Sequence, residues 1–231
     1  ISLSGTASTT SITIAVPPST PAGTYPVVVR AAYRDLRVHE LRLAVVVENE
    51  PPVAKAPVAA LRAGTRTTLS SVPLRLTWAP AADQSPIARY QLGEAAPGAT
   101  PKVVLTTAPT TRSATRTIPF ATSRSYAVRA TDLPGNVGAW AAATVQVRAV
   151  SEASTAVRRS SGWIRYSATD AIGGKFLYTD RTGAWMRYTF TGSGIAVVGR
   201  KGPNRGRAEI RIDGVLVKTV SAYASTQSGR W

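Results

Sequence analysis

The side chains best suited to recognising a ligand lie in residues 184–190, which read AWMRYTF. In an extended strand, successive side chains point to opposite faces. The even-numbered residues of this run are therefore predicted to face a core, and Trp185, Arg187 and Thr189 to face outward. An exposed Trp can stack on the C–H face of a sugar ring while a neighbouring Arg bonds hydroxyls or an acidic group. Alternatively, Trp185 packs under a loop or against a neighbouring domain, because Trp is seldom left bare.

A second candidate is the basic loop KGPNRGR at residues 201–207, which the sequence places at the tip of a hairpin. Binding residues often collect on loops that a rigid sandwich holds in place. An ordinary solvated turn is the alternative, since Pro, Asn and Gly are typical turn residues. Together with Trp185 and Arg187, the predicted glycan-binding residues are Lys201, Asn204, Arg205 and Arg207.

Three arginines form a third candidate, a basic stripe on the outer face of one sheet. Arg89, Arg129 and Arg148 take the outward phase opposite apolar neighbours on three predicted strands. If those strands are adjacent, the arginines line up and could contact an acidic glycan or an anionic neighbour. A solvated outer face is the alternative, and charged residues there also discourage edge-to-edge aggregation.

Catalytic and metal-binding chemistry has little support in the sequence. The single histidine, His39, lies in a strand-like run without an activated serine motif nearby, and a structural role is favoured. Asp132 with Asn136, and Asp170 with Asp180, are too sparse for a dedicated Ca²⁺ loop, so turn stabilisation is favoured. We therefore predict no enzymatic activity, no metal site and no cofactor.

Composition limits the classes of partner. The formal net charge is +16, with 23 arginines and five lysines, so the surface is electropositive and attracts polyanions. No segment clusters five or six basic residues as a nucleic-acid-binding arm does, and specific nucleic-acid binding is not predicted. No apolar run is long enough to cross a bilayer. The absence of cysteine excludes disulfides and thiol catalysis.

The candidate residues lie on a chain whose pattern is all-β. Strand-like runs recur at short intervals between turn signals, and almost no segment has helical periodicity. The clearest element is YAVRATDLPGNVGAW at residues 126–140. Its first half alternates like a strand, its Asp, Pro, Gly and Asn predict a turn, and a second strand follows as far as Val147. The fold class is predicted as tandem β-sandwiches.

Three units can be separated along the chain of 231 residues. The first, residues 1–50, is predicted to be the C-terminal part of one sandwich, and a Pro-rich linker follows at residues 51–57. The middle unit covers residues 58–150 and ends in a linker at residues 151–159. The third unit covers residues 160–231.

The middle unit resembles a fibronectin type III domain. In VPLRLTW, Leu74, Leu76 and Trp78 share one face, and Trp78 stands where that family keeps its core tryptophan. IARYQL resembles the third strand of the family, and Tyr126 resembles its buried tyrosine on the penultimate strand. The resemblance implies a fold and no particular activity, because this fold carries many unrelated functions.

The flanking units resemble two other sandwiches of bacterial exported proteins. PAGTY-x-V-x-V followed by L-x-L-x-V, with a hairpin about Arg34–Asp35, resembles the last strands of an immunoglobulin-like repeat. GGKFLY, GAWMRYTFTG and GPNRGRAEIRIDG resemble a galactose-binding-like jelly roll, which implies buried positions for Trp163 and Tyr166. Both units look incomplete, so further strands are expected upstream of Ile1 and downstream of Trp231.

These features together predict a non-catalytic array of modules that is extracellular or at the cell surface. Its predicted role is surface attachment, spacing or glycan binding. The expected partners are polysaccharides or other acidic surface polymers, or other copies or domains of the same assembly. Two alternatives stay open. One is the accessory C-terminal region of a secreted protease or glycosidase whose catalytic domain lies outside this chain, and the other is a structural subunit of a surface filament or sheath.

Overall fold

The computed structural model describes residues 13–17, 19–32, 38–62 and 64–230. Over those residues the regular elements are fifteen β-strands and one 3₁₀ turn, Ile172–Gly174. The predicted all-β class is thereby confirmed. The strands are β1 (Gly23–Ala32), β2 (Val38–Val47), β3 (Val58–Leu61), β4 (Ser71–Thr77), β5 (Ile87–Ala95), β6 (Lys102–Thr107), β7 (Ser113–Pro119), β8 (Ser123–Asp132), β9 (Ala141–Gln146), β10 (Val157–Arg159), β11 (Ile164–Ser167), β12 (Lys175–Tyr178), β13 (Met186–Tyr188), β14 (Arg207–Ile212) and β15 (Val215–Ser221).

The middle unit is a β-sandwich of two antiparallel sheets. One sheet has the strand order β3-β4-β7, and the other has the order β6-β5-β8-β9. In the second sheet, Leu92 of β5 pairs with Val128 of β8. The strand β5 is the third of this unit and β8 is the penultimate one, which confirms the strand positions predicted from IARYQL and from Tyr126.

Alternating apolar side chains from both sheets form one core. Leu74, Leu76 and Trp78 are only 1%, 0% and 5% exposed, so their predicted inward face is confirmed. The rings of Trp78 and Tyr90 lie 6.2 Å apart between centroids in a tilted arrangement, which is typical of aromatic pairs. The other buried members of the cluster are Val72, Leu92, Ile118, Tyr126, Val128 and Ala130.

The hairpin between β8 and β9 follows the turn chemistry of residues 126–140. Asp132 ends β8, and its Oδ1 accepts hydrogen bonds from the backbone N–H groups of Gly135 at 2.7 Å and Asn136 at 2.6 Å. Gly135 has a φ of 107°, a conformation that glycine adopts without the cost of a Cβ. The strand β9 is shorter than predicted, and Trp140 directly precedes it.

The Pro-rich segment before the middle unit lies against the sandwich. Pro52 is fully buried, and Val53 and Ala82 exchange two backbone hydrogen bonds of 2.9 Å. The carbonyl of Pro52 approaches Gly138 so closely that a Cβ at position 138 would collide with it. Part of the segment predicted as a linker is therefore packed on the sandwich.

The first unit contains one long hairpin. Every residue of β1 pairs with β2, from Gly23 with Val47 to Ala32 with Val38, so the two paired strands predicted there are confirmed. The predicted turn about Arg34–Asp35 lies outside the described residues, as do the two chain ends. Large apolar side chains stay exposed on this hairpin, and the most exposed are Val38, Leu41 and Val46.

The third unit forms three two-stranded sheets, which pair β10 with β13, β11 with β12, and β14 with β15. The strand β10 lies at the end of the segment predicted as a linker, residues 151–159, so this part of the linker belongs to the third unit. Within residues 151–230, only Gly202 and Gly229 are buried. Trp163 is half-buried. Tyr166 is 58% exposed and contacts the ring of Phe176, so its predicted burial is wrong. The jelly-roll architecture stays a prediction.

Across the described ranges, no helix has both the length and the apolar character needed to cross a membrane.

Candidate functional site

The aromatic–basic pair of Trp185 and Arg187 lies on a two-stranded sheet of the third unit. Trp185 directly precedes β13, and it is hydrogen-bonded to Ser160, which directly follows β10. The Ser160 N–H donates to the Trp185 carbonyl at 3.0 Å, and the Trp185 N–H donates to Ser160 Oγ at 3.2 Å. The Trp185 side chain is 49% exposed. The guanidinium carbon of Arg187 lies 5.8 Å from the ring centroid of Trp185, within the range of a cation–π contact.

Arg158 adds a second guanidinium to this surface. It is the direct cross-strand partner of Arg187, and both side chains are exposed. Directly opposite residues of an antiparallel pair share a face and have Cβ atoms about 5 Å apart. Arg158, Trp185 and Arg187 therefore form one surface, the Trp-Arg face. Sequence reasoning missed Arg158, because no local motif marks it. Only the strand register shows that it lies opposite Arg187.

The opposite side of the same sheet is only partly covered. Tyr188 and Phe190 are half-buried and stack with ring centroids 6.2 Å apart. Met186 is 41% exposed, so its predicted inward position is wrong. Its cross-strand partner is Arg159, which is itself exposed and leaves Met186 uncovered. Trp185 has the outward position predicted for it.

The basic loop at residues 201–207 is not at a hairpin tip, contrary to the prediction. The tip of the β14–β15 hairpin is Asp213–Gly214, and Arg207 pairs with Ser221 at the open end of that hairpin. Asp213 and Gly214 both have positive φ, 49° and 83°, as a two-residue hairpin turn requires. The loop therefore precedes the hairpin.

The four predicted residues of this loop differ in their surroundings. Asn204 and Arg207 are exposed, and Lys201 and Arg205 are half-buried. Lys201 exchanges backbone hydrogen bonds with Ser228 at 2.8 and 2.9 Å, which ties the loop to the last described segment. Of the loop residues, only Arg207 belongs to a strand, β14, whose sheet is separate from the β10–β13 sheet of the Trp-Arg face. The six predicted glycan-binding residues therefore do not share one sheet.

The three arginines of the predicted basic stripe are not brought together. Arg89 and Arg129 lie on adjacent strands, β5 and β8, two positions apart in register. Arg148 lies beyond β9, whose last residue, Gln146, pairs with Ser123 at the start of β8. That end of β8 is about 20 Å along the strand from Arg129. Because β9 ends before Arg148, only two arginines are neighbours.

Arg129 is held within the sandwich surface. Its Nε donates to Oε1 of Gln91 at 2.8 Å, and its guanidinium carbon lies 4.5 Å from the ring centroid of Trp140. Trp140 in turn covers Gly93, where a Cβ would come within 3.0 Å of the indole ring. Arg129 and Trp140 therefore cover the outer face of the sheet, which gives Arg129 a structural role.

Three carboxylates from distant parts of the chain converge where the first and middle units meet. Oxygen atoms of Glu48, Asp83 and Asp132 lie within 4.8 Å of one another, and oxygen ligands of this kind suit a hard cation such as Ca²⁺. The side-chain amide of Asn136 donates to Glu48 Oε2 at 2.9 Å and to Asp132 Oδ2 at 2.8 Å. This amide lies between two of the carboxylates and satisfies both. Sequence reasoning missed Glu48 and Asp83 because no local spacing links them to Asp132.

Asp132 is nearly inaccessible, with 1% of its surface exposed. Burial would raise the pKa of its carboxyl. The hydrogen bonds from the Asn136 side chain and from the backbone of Gly135 and Asn136 together outweigh burial, and they hold the pKa below its ordinary value of 3.8. The charged carboxylate is therefore the form that the folded hairpin stabilises.

Two cavities of the described chain are small and apolar. One, of about 200 Å³, is lined by residues 51–54 and 139–141. The other, of about 130 Å³, is lined by the first hairpin and residues 14–17. Neither lining includes a histidine, a lysine or a carboxylate, and Tyr25 is the one side chain of a type that acts in acid–base catalysis. His39 lies exposed on β2. The expectation that the chain is not an enzyme stays a prediction.

Several solved structures are similar to this chain, and two of them are described here. The sixth fibronectin type III domain of human fibronectin type III domain containing protein 3 is 16% identical with a TM-score of 0.36, and the match covers 47% of this chain and 96% of that domain. A β-1,2-glucanase from Parabacteroides distasonis is 17% identical with a TM-score of 0.31, and the match covers 49% of this chain and 16% of the glucanase. No family model and no curated protein matches the chain.

The middle unit is a two-sheet β-sandwich, and its resemblance to fibronectin type III domains stays a prediction. Its three-stranded and four-stranded sheets, and its core around Trp78 and Tyr126, establish the sandwich independently of the two likenesses. The likenesses assign no ligand and no activity to the chain, because one fold carries many functions.

Proposed function

We propose that this chain is a non-catalytic array of β-structured modules at the cell surface or in the extracellular matrix, and that its third unit contacts glycans. The observation that carries the proposal is the Trp-Arg face. Trp185 is half exposed there, with the guanidinium groups of Arg158 and Arg187 on the same surface. Aromatic planes bind the C–H faces of sugar rings, and guanidinium groups bond hydroxyls and carboxylates.

A spacing role is supported by the junction between the first and middle units. Asn136 of the middle unit donates to both the backbone carbonyl and the carboxylate of Glu48, at 3.1 and 2.9 Å. Gln84 donates to the carboxylate of Glu50 at 2.9 Å, and Pro52 is buried. These contacts restrict pivoting of the first hairpin on the sandwich, as a module that holds two partners apart requires.

Trp185→Ala is expected to weaken glycan binding by the full chain about tenfold, because it removes the stacking surface. Isothermal titration calorimetry against a panel of soluble acidic and neutral polysaccharides measures the effect. Tyr223→Ala is the matched control, since Tyr223 is an exposed aromatic residue of the same unit outside the Trp-Arg face. The proposal fails if the unaltered chain binds no polysaccharide, or if the two variants lose binding equally.

A role in a filament or sheath is the second candidate, and the hairpin of the first unit favours it. The strands β1 and β2 form a two-stranded sheet with exposed apolar side chains, and open strand edges can pair with another chain. Sedimentation velocity over rising concentration distinguishes the roles: a glycan-binding module stays monomeric, whereas a filament subunit associates. An accessory role beside a secreted hydrolase stays the third alternative.

A further inference from the structure

We infer that the Trp-Arg face prefers sugars that carry a carboxylate, that is, polysaccharides built from uronic acids. This inference rests on the glycan role proposed above and names the class of glycan. Its starting point is the register of β10 and β13, which places Arg158 directly opposite Arg187. Like charges directly opposite each other destabilise a strand pair. An anion held between the two guanidinium groups relieves that repulsion.

The positive charge on this face has no acidic counterpart in the described part of the chain. The ion pairs there involve neither Arg158 nor Arg187. Glu152, which precedes β10, pairs with Arg165 at 3.3 Å, and its backbone carbonyl accepts a hydrogen bond from Arg159 at 3.2 Å. The acidic residue closest in sequence to Arg158 is therefore committed to other arginines, and an external anion can bind both cross-strand guanidiniums.

Trp185 supplies the part of the site that distinguishes a sugar from a simple anion. Half of its side chain is open to solvent, which leaves indole surface on which a pyranose ring can stack. A uronic acid carries its carboxylate at the edge of that ring. Arginine side chains are long and flexible, and the planar guanidinium binds a carboxylate through two parallel hydrogen bonds. A neutral sugar would leave both arginines without an anion, and this difference produces the preference.

A nucleic acid fits the same groups less well. Single-stranded nucleic acids are bound along grooves in which basic residues follow several phosphates and several aromatic rings stack on successive bases. The Trp-Arg face offers one ring and two arginines that face each other across a single strand pair. This arrangement suits one charged sugar residue, which repeats along a polyuronate.

The test compares polygalacturonate with its methyl-esterified, neutral counterpart, each titrated into the full chain. Salt at about 150 mM gives a Debye length of about 8 Å, which screens the long-range attraction of the net charge. Polygalacturonate is expected to bind about tenfold more tightly than the ester. Arg158→Gln and Arg187→Gln should each weaken polygalacturonate binding about tenfold and leave binding of the ester unchanged.

Arg148→Gln is the matched control, because it removes the same charge from an exposed arginine outside this face. Arg187→Lys keeps the charge but loses the planar fork, and it should weaken binding more than Arg148→Gln does. Circular dichroism spectra that match the unaltered chain confirm that each variant is folded.

Four results would overturn the inference. Equal losses in Arg148→Gln and Arg158→Gln would show attraction by net charge alone. Equal binding of acid and ester, both abolished by Trp185→Ala, would remove the preference for acids but retain the glycan role. Displacement of polygalacturonate by a single-stranded oligonucleotide of equal affinity, with the same arginine dependence, would show a general polyanion site. Failure of the unaltered chain to bind either polymer would remove the glycan role as well.

Discussion

Replacing Asp132 with alanine is expected to lower the free energy of unfolding of the middle sandwich by about 3 kcal/mol. The Asp132 carboxylate accepts hydrogen bonds from two backbone N–H groups and one side-chain amide, at 2.6 to 2.8 Å. Alanine leaves the backbone N–H groups of Gly135 and Asn136 without this acceptor, and the Asn136 amide keeps only its bonds to Glu48. Each hydrogen bond to a charged group contributes about 1.5 to 3 kcal/mol. Urea unfolding followed by tryptophan fluorescence measures the change.

Two further variants separate the hydrogen bonds from the charge. Asp132→Asn keeps the size and one acceptor oxygen but turns an amide donor toward other donors, so we expect a loss smaller than that of alanine. Asp213→Asn changes an aspartate at the exposed tip of the β14–β15 turn and should alter stability by less than about 0.5 kcal/mol. An unfolding midpoint of Asp132→Ala equal to that of the unaltered chain would contradict this account of the turn.

The low pKa of Asp132 also predicts how stability depends on pH. Because the pKa in the folded chain lies below the ordinary value of 3.8, the unfolded chain takes up the proton first as pH falls. The stabilising contribution is complete above the unfolded pKa and disappears as pH falls below 3.8 through the lower folded pKa. Unfolding measured over this acidic range should show a fall in stability that is smaller in Asp132→Asn.

The second large effect is expected for Gly138→Ala. The added Cβ would collide with the carbonyl of Pro52, a backbone group that cannot rotate away. The N–H of Gly138 donates to the Ala130 carbonyl at 2.9 Å, which holds position 138 against β8. The substitution should therefore displace the Pro-rich segment and cost about 2 to 3 kcal/mol. Hydrogen exchange at the amides of Val53 and Ala82 should accelerate, because each of these N–H groups donates to the carbonyl of the other residue.

Gly206→Ala is the control for this prediction. A Cβ at position 206 meets no heavy atom within 4 Å, so stability should change by less than about 0.5 kcal/mol. If the Val53 amide exchanges equally slowly in Gly138→Ala and in the unaltered chain, the Pro-rich segment does not depend on the close approach at Gly138.

The middle sandwich was predictable because its determinants are local. Apolar side chains recur at every second residue, as Leu74 and Leu76 do in one strand and Tyr126 and Val128 in another. This period predicts which side chains face inward. The turn after Asp132 is likewise encoded within five residues. The cross-strand pairing of Arg158 with Arg187 depends on strand register, and the convergence of Glu48, Asp83 and Asp132 depends on the path of the chain. Hydrophobic periodicity reports neither.

Two misplaced candidates have specific causes. The predicted basic stripe does not include Arg148, because β9 ends at Gln146. Alternation of side chains alone does not show where a strand ends. The loop at residues 201–207 is predicted at a hairpin tip, whereas the turn is the dipeptide Asp213–Gly214. Asp-Gly is itself a strong sequence signal for a two-residue hairpin turn.

The packed Pro-rich segment has a mechanical consequence. Ten residues of extended Pro-rich chain, residues 48–57, could lengthen the molecule by about 30 Å. The folded chain does not have this extra length, because Pro52 is buried and Val53 is paired with Ala82. Under tension, the segment should keep its length until the two hydrogen bonds between Val53 and Ala82 break, and it should then extend abruptly.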